Sequence, residues 1–535
     1  MEKSFLFVDV TNPTWLVYVG LLVFAVFFRF TRILAVRNLD LTLLLLLSTA
    51  LVVTDRYRNA PVPKADDATT SATADDTRAN LSDSANDPNN GVAAVEVSTS
   101  KVNADARDRD KSVAAEPSTS VSATDAEPSM TQETAVHPVY LWSSLTLLGL
   151  TLFLLMRLVF DESLTRRPRL DQNLNQAGLT FLCIPAFAIP MLGVFMNPPP
   201  DHNIKALEHG RALLERREVN EDPVEGTQQQ PAPTETLIAA GGTAMAQLSG
   251  NLDKVVGTTD SGPTAVERWL ARILIVIAHT MVVLGLLHIG RHHFASLQLG
   301  LSMSCLYLLL PCTAVKVHEL NQVLPAACLI WAISSYRNPI VSGILLGLAS
   351  GTLFFAAFLL PLWAVFYGRK GGLRFVISVM GVTAVLISCL LLTSGDANSF
   401  FTKLVTTANW TVYRLLDDTA AGADASLSQL FVRIPMAAVF FVMLTAMTVL
   451  PRPRNHENLL ANSTSLIVAA QMWYPDDIGT YVLWYVPLFL LVIFRPRLDR
   501  FTPPEAVERQ SATVVTPVTA GASSTVAMSR LSFFR

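Results

Sequence analysis

Long apolar runs alternate with short polar segments along most of this 535-residue chain. Roughly a dozen such runs lie between Trp15 and Phe494, and most of them end at a group of arginines. The core of a bilayer offers no water to backbone groups, so apolar runs of this length are expected to be membrane-crossing helices. The pattern predicts an all-α, polytopic transmembrane helical bundle with about 11 spans plus a short helical hairpin.

The predicted spans share a low charge content and a length close to the thickness of a bilayer. In chain order they are 15–28, 39–53, 139–156, 177–196, 269–289, 294–311, 323–336, 375–392, 434–450, 459–473 and 480–494. The second is short for a span, so it is expected to be extended by its flanks or to be tilted little. Pro185 and Pro190 predict a kink in the fourth.

The hairpin is predicted between the seventh and eighth spans. Pro339 to Tyr367 is apolar and has basic residues on both sides, at Arg337 and at Arg369 and Lys370. Because basic residues favour the same side of a membrane, this segment is expected to enter and return. Its first arm carries small residues at helical spacing, Gly343, Gly347 and Gly351. Such spacing predicts close approach of the two short arms.

The arginines also predict the orientation of the chain in the membrane. They follow the first, third and last runs, at Arg29, Arg166 and Arg495 among others. Positively charged flanks stay in the cytoplasm, so the N-terminus is predicted outside and the C-terminus inside, in the inner (plasma) membrane. Tags placed near Ala115 and near Gly241 should therefore both be found outside.

Between the spans, composition divides the chain into segments. Residues 55–137 are rich in Ser, Thr, Ala and Asp and are predicted to be a disordered extracytoplasmic loop. In a second outer loop, 203–218 is weakly amphipathic and fits either a helix on the membrane surface or a solvated charged helix; the remainder to Thr264 is predicted to be a linker. The predicted divisions are 1–54 (two spans), 55–137 (disordered loop), 138–196 (spans), 197–267 (outer loop), 268–500 (main bundle) and 501–535 (disordered cytoplasmic tail).

The composition also restricts the classes of function that fit this chain. Hydrophobic residues make up 51% of the chain and charged residues 16%, which suits a lipid environment. The formal net charge of −3 gives no reason to expect a nucleic-acid partner. The five cysteines lie in or beside apolar runs without CxxC spacing, so packing is predicted for them and no metal site. Neither a nucleotide-binding fingerprint nor another cofactor motif occurs, and the sequence does not predict an oligomeric state.

Three polar groups are predicted to meet at the outside ends of the helices, where ionisable side chains near lipid are costly and often functional. In chain order they are Asp201 and His202; Lys316, His318, Glu319, Asn321 and Gln322; and Trp473, Tyr474, Asp476 and Asp477. Each has a simpler interpretation, since acidic residues cap helices and aromatic residues mark membrane interfaces. Together they predict an acidic, hydrogen-bonding cavity beside lipid.

One segment resembles a known family. The stretch Glu319 to Arg374 is similar to multi-pass glycosyltransferases of the GT-C architecture, particularly bacterial mannosyltransferase-like enzymes that use polyprenyl-phosphate sugars. The similarity lies in Asn321-Gln322, Tyr336-Arg337, Gly343, Leu345-Leu346-Gly347-Leu348-Ala349, Gly351-Thr352 and Leu359-Leu360-Pro361. The chain departs from the family in two ways. Its first span points inward, and Leu353 stands at a position that is often basic.

The resemblance implies a polyprenyl-phosphate sugar donor at the outer leaflet and a carboxylate that takes a proton from the acceptor hydroxyl. Glu319 is the predicted base, with Asp201 and Asp477 as substitutes. The residues expected to bind donor phosphate or sugar are Lys316, His318, Asn321, Gln322, Trp473, Tyr474 and Asp476. Membrane lipids and this donor are the predicted partners.

Two other classes of function remain open. The chain also fits a catalytically silent membrane scaffold or assembly protein. A transporter or flippase is favoured by the broken helices predicted around Gly343 to Pro361. The halves of the chain lack matching broken segments, however, and the spans contain almost no carboxylates to bind a coupling ion. The deep titratable residues His279 and His288 are expected to pack or to hydrogen-bond within the bundle.

Overall fold

The computed structural model describes residues 13–30, 33, 35–58, 138–161, 173–217, 231–248, 264–352, 354–408, 423–450, 455–473 and 481–496. Within these ranges every regular element is helical and no strand occurs, so the predicted all-α class is confirmed for this part of the chain. Five helices there are long and apolar enough to cross a membrane, and six shorter helices are also apolar. The number of crossings stays a prediction.

The helices are numbered here in chain order. They are α1 (Pro13–Phe27), α2 (Val36–Arg58), α3 (Pro138–Val159), α4 (Gln176–Met196), α5 (Asp201–Glu215), α6 (Pro233–Leu248), α7 (Ala265–His288), α8 (Leu297–Leu309), α9 (Pro311–Val315), α10 (Leu320–Ser334), α11 (Pro339–Ser350), α12 (Leu360–Leu392), α13 (Ala397–Ala408), α14 (Ala423–Val449), α15 (His456–Ala470) and α16 (Val482–Phe494). A π-helical turn, Ile289–His293, follows α7, and a 3-10 helix, Phe354–Leu359, precedes α12.

The centre of the bundle is formed by helices that are buried on every side. Every residue of α16 is buried, as is every residue of α15 except Glu457 and Asn458, and most of α8 and α10 are buried as well. Helices α1, α3, α4, α12 and α14 surround them and expose large apolar side chains, among them Leu21, Trp142, Phe181, Ile377 and Val442. Exposed apolar faces around a buried centre are what a bundle in lipid requires.

Several predicted spans differ in length from the helices observed. Helix α2 has 23 residues, so the flanks do extend the short second span. Its last turn includes Asp55 to Arg58, which composition had assigned to the disordered loop. The rest of that predicted loop, 59–137, and the predicted tail, 501–535, lie outside the described residues.

The segment around Gly368 contains the predicted hairpin. A Cβ atom added at Gly343 would contact Ser378, one at Gly347 would contact Val382, and one at Gly351 would contact Leu386. In each pair the two residues are 35 positions apart in the sequence (378 − 343, 382 − 347, 386 − 351). A constant offset means that α11 and the later part of α12 run parallel. The chain must therefore return between them, and Gly368 makes the final reversal with a φ of 72°.

The partner of the glycine stripe differs from the prediction. The stripe was expected to bring the two hairpin arms together, but it faces the helix that follows the hairpin. At Gly343 a Cβ atom would collide with the Ser378 hydroxyl and lie 2.8 Å from the Phe375 carbonyl oxygen. Small residues here permit backbone contact between parallel helices, the usual role of such a stripe in membranes.

The predicted linker also contains a helix that composition did not indicate. Helix α6 begins at Pro233 and packs along α5. At Gly210 a Cβ atom would lie 2.5 Å from the Ala240 backbone nitrogen, so the two helices meet backbone to backbone. The predicted amphipathic helix is thus present as α5, and its buried face lies against protein.

Charged residues concentrate at two ends of the bundle, which we name after their predicted sides. The outer end holds the α9–α10 turn with Lys316 and Glu319. The inner end holds Arg157, in the last turn of α3, and Arg495, directly after α16. Which side of a membrane each end faces stays a prediction.

The inner end contains a buried ion-pair network that joins four helices. Arg157 donates two hydrogen bonds of 2.8 Å to Asp40 of α2 and one of 2.7 Å to Asp161. Arg495 pairs with Asp161 and, at 2.9 Å, with Glu457 of α15. Both arginines are at least 90% buried. A charge buried this deeply is stable only with its partners in place, so the network fixes the helix ends relative to one another.

Candidate functional site

Lys316 is the centre of the polar site at the outer end. It follows the short helix α9, and its Nζ lies 3.2 Å from the Asp55 carboxylate of α2 and 3.0 Å from that of Glu319. Burial favours the neutral amine, but the negative charges of Glu319 and Asp55 outweigh burial and raise the pKa of Lys316. The three residues form a triad with a formal charge of −1.

Glu319 occupies the N-cap position of α10 without acting as a cap. Its side chain makes no capping hydrogen bond, and its carboxylate turns to Lys316 instead. About a third of the side chain is exposed (33%). The interpretation of Glu319 as a simple helix cap is therefore wrong, and its carboxylate is held at the surface by a cation.

The second predicted group lies beside the first. Asn203, in the first turn of α5, is buried, and its Nδ2 donates to the His318 carbonyl oxygen at 2.8 Å. Asp201 opens the same helix and is exposed. The Asn203–His318 hydrogen bond thus places the first turn of α5, which carries Asp201 and His202, beside the turn that holds Lys316 and Glu319. That these residues form one functional site stays a prediction.

A histidine–carboxylate pair extends the site. His202 Nε2 lies 2.9 Å from the Glu235 carboxylate, which is almost completely buried, whereas 23% of the His202 side chain is exposed. A carboxylate only accepts, so Nε2 carries the proton and donates it. Sequence reasoning missed Glu235 because it lay in the predicted linker. Pro233 at the first helical position and an acid in the first turn were signals for a helix start there.

Helix α6 is fastened to the end of the glycine-rich helix α11. Thr234 Oγ1 donates to the Leu348 carbonyl at 2.8 Å, and the Thr234 backbone nitrogen donates to the Gly351 carbonyl at 3.3 Å. A Cβ atom at Gly351 would collide with both Thr234 and Leu386. The site is therefore tied to the segment that carries the family resemblance.

Three of the predicted binding residues have buried polar atoms without a hydrogen-bond partner in the described chain. They are His318 Nδ1, Asn321 Oδ1 and Gln322 Oε1. Gln322 is only 2% exposed. Burial lowers the pKa of His318, so its imidazole is neutral at pH 7. Buried polar atoms in this condition are costly and mark places where a polar ligand gains hydrogen bonds.

The third predicted group is described only at Trp473. This side chain is buried, and its ring lies 5.5 to 5.9 Å from the rings of Phe358, Phe440 and Phe441. Its contacts are thus those of an aromatic core cluster. Tyr474, Asp476 and Asp477 lie outside the described residues, so the cavity expected between this turn and Lys316 stays a prediction.

His279 illustrates a polar residue with a structural role. It is fully buried, its Nε2 lies 3.1 Å from the Val317 carbonyl, and the Tyr307 hydroxyl lies 3.1 Å from its Nδ1. Because the carbonyl only accepts, Nε2 donates and Nδ1 accepts from Tyr307. Both ring nitrogens are satisfied within the bundle, as the sequence predicts.

Metal ligands do not cluster in the described ranges. No group of three or more His, Cys, Asp or Glu side chains there is arranged to hold an ion. All five cysteines have free thiols, and four are buried. Burial among apolar helices fits the predicted packing role.

The chain matches no protein-family model and no curated protein. Function is therefore inferred from the outer-end residues and from the resemblance of segment 319–374.

Proposed function

We propose that this protein is a membrane-embedded glycosyltransferase that moves a sugar from a polyprenyl-phosphate donor to an acceptor hydroxyl at the outer end. The observation that carries the proposal is the meeting of two carboxylate pairs, Lys316–Glu319 and His202–Glu235, across the Asn203–His318 hydrogen bond. Such a reaction needs a proton acceptor and groups that bind phosphate and hydroxyls. All these side-chain types occur together here, beside helices with lipid-type surfaces.

The Lys316 triad gives the donor a way to activate the base. Lys316 lies between two carboxylates, so a donor phosphate that approaches its ammonium competes with both of them. Displacement of Glu319 pairs the phosphate with a cation and at the same time frees the Glu319 carboxylate. The base is then available only when the donor is bound.

The chemical step is a displacement at the sugar carbon. The acceptor oxygen forms a bond to that carbon while the carbon–oxygen bond to the phosphate breaks. The phosphate leaves with the electron pair, and the hydroxyl proton passes to Glu319. The unpartnered atoms of His318, Asn321 and Gln322 offer hydrogen bonds to sugar hydroxyls.

His202 provides a second proton acceptor in the same patch. Glu235 orients its imidazole and stabilises the protonated form, as a buried carboxylate does for a catalytic histidine. Asp201 and Asp477 remain the substitutes that the sequence predicts. The proposal requires the outer end to face the extracytoplasmic side, so a tag near Gly241 should be found outside.

The test is turnover of purified full-length protein in lipid with polyprenyl-phosphate sugars. We expect activity in the parent and a loss of about 10²–10⁴-fold in Glu319→Gln, the usual contribution of a general base. His202→Gln separates the two proton acceptors. Arg211→Gln, which breaks an exposed pair with Glu215 on α5, is the matched control and should keep activity.

Two results would contradict the proposal. One is full activity in both Glu319→Gln and His202→Gln. The other is no sugar transfer by a folded parent with any polyprenyl-phosphate sugar.

A catalytically silent assembly protein is the second candidate. The observation that favours it is that Glu319 and Asp55 both pair with Lys316, which braces α2 against the start of α10. In that case Lys316→Met would lower stability, and no donor would be consumed by any variant.

A further inference from the structure

We propose that the end of α7 binds a divalent transition-metal ion, with the imidazoles of His288 and His292 as the two protein ligands. The site lies at the inner end of the bundle, where the ring of His293 is 5.9 Å from that of His456, the first residue of α15. It does not depend on the sugar transfer proposed for the outer end. Three of the nine histidines of the chain fall within the six residues 288–293. Short histidine-rich tracts of this kind are typical of metal binding.

The two imidazoles already lie together. His288 is the last residue of α7 and His292 follows four positions later, so both side chains lie on the same side of the helix. Their ring centres are 4.4 Å apart. Two imidazoles bound at right angles to one ion, with metal–nitrogen bonds of about 2.0–2.1 Å, have ring centres roughly 4.5 Å apart. The observed spacing therefore fits two adjacent positions around a single ion.

The ring nitrogens of this pair are not used by the bundle. Within the described ranges, His288 and His292 make ring contacts with each other, and His288 also with His293 and Trp331, but neither imidazole makes a hydrogen bond or an ion pair there. His288 is half-buried and His292 is exposed, so an ion can reach both from solvent. A neutral imidazole binds a metal through the ring nitrogen that carries no proton. Each histidine can therefore supply one nitrogen ligand.

The backbone that carries the pair is held in place by a π-helical turn. The Phe294 backbone nitrogen donates to the Ile289 carbonyl oxygen, five residues back, at 3.0 Å. A Cβ atom at Gly290 would lie 2.3 Å from the Gly300 Cα, so the turn meets the backbone of α8 directly. Single π-helical turns are frequent at functional sites. Because these contacts fix the turn, the two ligands lose little freedom when an ion binds.

The ligand type determines the class of ion. Imidazole suits Cu²⁺, Ni²⁺ and Zn²⁺, whereas Mg²⁺ and Ca²⁺ prefer oxygen ligands. Nitrogen ligands at right angles are characteristic of Cu²⁺ and Ni²⁺. Two protein ligands leave the other positions to water, which is consistent with the lack of any larger group of metal ligands in the described ranges. We therefore expect Cu²⁺ to bind most tightly, ahead of Ni²⁺ and Zn²⁺.

Two neighbours of the pair have other roles. His293 lies in the same turn, but its ring packs 5.4 Å from that of Tyr336, and it is not one of the proposed ligands. Arg291 is exposed beside His292, and its positive charge opposes a bound cation. Removal of Arg291 should therefore strengthen the binding of a metal ion and weaken the binding of an anion. This difference in sign distinguishes a cation site from an anion site.

The experiment is a titration of full-length protein in detergent, purified without a histidine tag, with Cu²⁺, Ni²⁺ or Mg²⁺. Trp331 is the reporter, because its ring lies 5.6 Å from that of His288 and bound Cu²⁺ quenches the fluorescence of a nearby indole. We expect saturable quenching by Cu²⁺ in the parent, weaker binding of Ni²⁺ and none of Mg²⁺. His288→Gln/His292→Gln should bind Cu²⁺ at least about tenfold more weakly. Trp331→Phe should lose the quenching, while calorimetry still detects the bound ion.

The matched control is Arg291→Gln, which should bind Cu²⁺ as tightly as the parent or more tightly. If the double variant folds poorly, His292→Gln alone provides the test, because this side chain is exposed. Equal affinity for Cu²⁺ in the parent and in folded His292→Gln would overturn the proposal. Unchanged quenching in Trp331→Phe would also overturn it, since the ion would then lie elsewhere. Tight binding of Mg²⁺ by the parent would likewise contradict a site made of imidazoles.

Discussion

At the inner end, Arg157 and Arg495 are buried and each pairs with two carboxylates, whereas at the outer end Lys316 and Glu319 keep part of their side chains in water. Charges attract more strongly away from water, but each loses more hydration energy on burial. The inner pairs therefore hold only as a complete set. The outer pairs are partly solvated, so we expect an exchange of partners to cost less there, as the proposed binding of a donor phosphate at Lys316 requires.

The largest effect should come from breaking the inner network. Arg157→Met removes three hydrogen bonds from the buried carboxylates of Asp40 and Asp161, so we expect a loss of about 3–5 kcal/mol in the free energy of unfolding. Chemical unfolding in detergent measures it. The control Arg211→Gln, at an exposed pair, should cost less than about 1 kcal/mol. Equal costs for the two variants would remove the distinction between the ends.

A smaller loss of stability should follow from a substitution that pushes α11 and the second part of α12 apart. Gly343→Ala places a methyl group against Ser378 and the Phe375 carbonyl, and we expect a loss of about 1–3 kcal/mol. Gly381→Ala on α12, where no atom lies within 4 Å of the added carbon, is the matched control. Alanine is the better helix former, so the control should be neutral or stabilising by up to about 1 kcal/mol. A neutral Gly343→Ala would mean that the parallel register is wrong.

The smallest effect is expected in the pH dependence of stability, through His318 at the outer end. Because burial lowers the pKa of His318 in the folded protein, the unfolded chain takes up a proton first as the pH falls below about 6.5. The contribution of His318 to the free energy of unfolding is therefore fully present at pH 7 and decreases as the pH falls. Thermal unfolding between pH 7 and 5 should therefore show a smaller drop in Tm for His318→Gln than for the parent. Identical pH profiles would indicate that His318 is solvated.

The sequence predicts the helices well because hydrocarbon leaves the backbone few alternatives. Apolar runs and basic flanks were sufficient to predict most of the helices and the return before Gly368. How many of these helices cross a membrane stays a prediction. Contact between the start of α5 and the α9–α10 turn was also predictable, since both follow spans that are predicted to have the same orientation.

Tertiary pairing was not predictable from local patterns. Asp40 and Arg157 are 117 positions apart, and Arg157 carried only an orientation signal. Likewise nine of the 16 residues of α6 are Thr, Ala or Gly, a composition that indicates a linker until Gly210 and Gly351 offer it close backbone contact. Glu235 was missed for the same reason, because its burial depends on that contact.

Helices α5 and α6 pack as a hairpin, and the attachment of this hairpin to the bundle determines how often Glu235 is exposed to solvent. To lift away, the hairpin must break the bonds from Thr234 to Leu348 and Gly351 and from Asn203 to His318. At about 0.5–1.5 kcal/mol each, these bonds alone limit the open form to between roughly one molecule in ten and one in two thousand. A water-soluble carboxyl-modifying reagent would thus label Glu235 at a rate set by this rare opening.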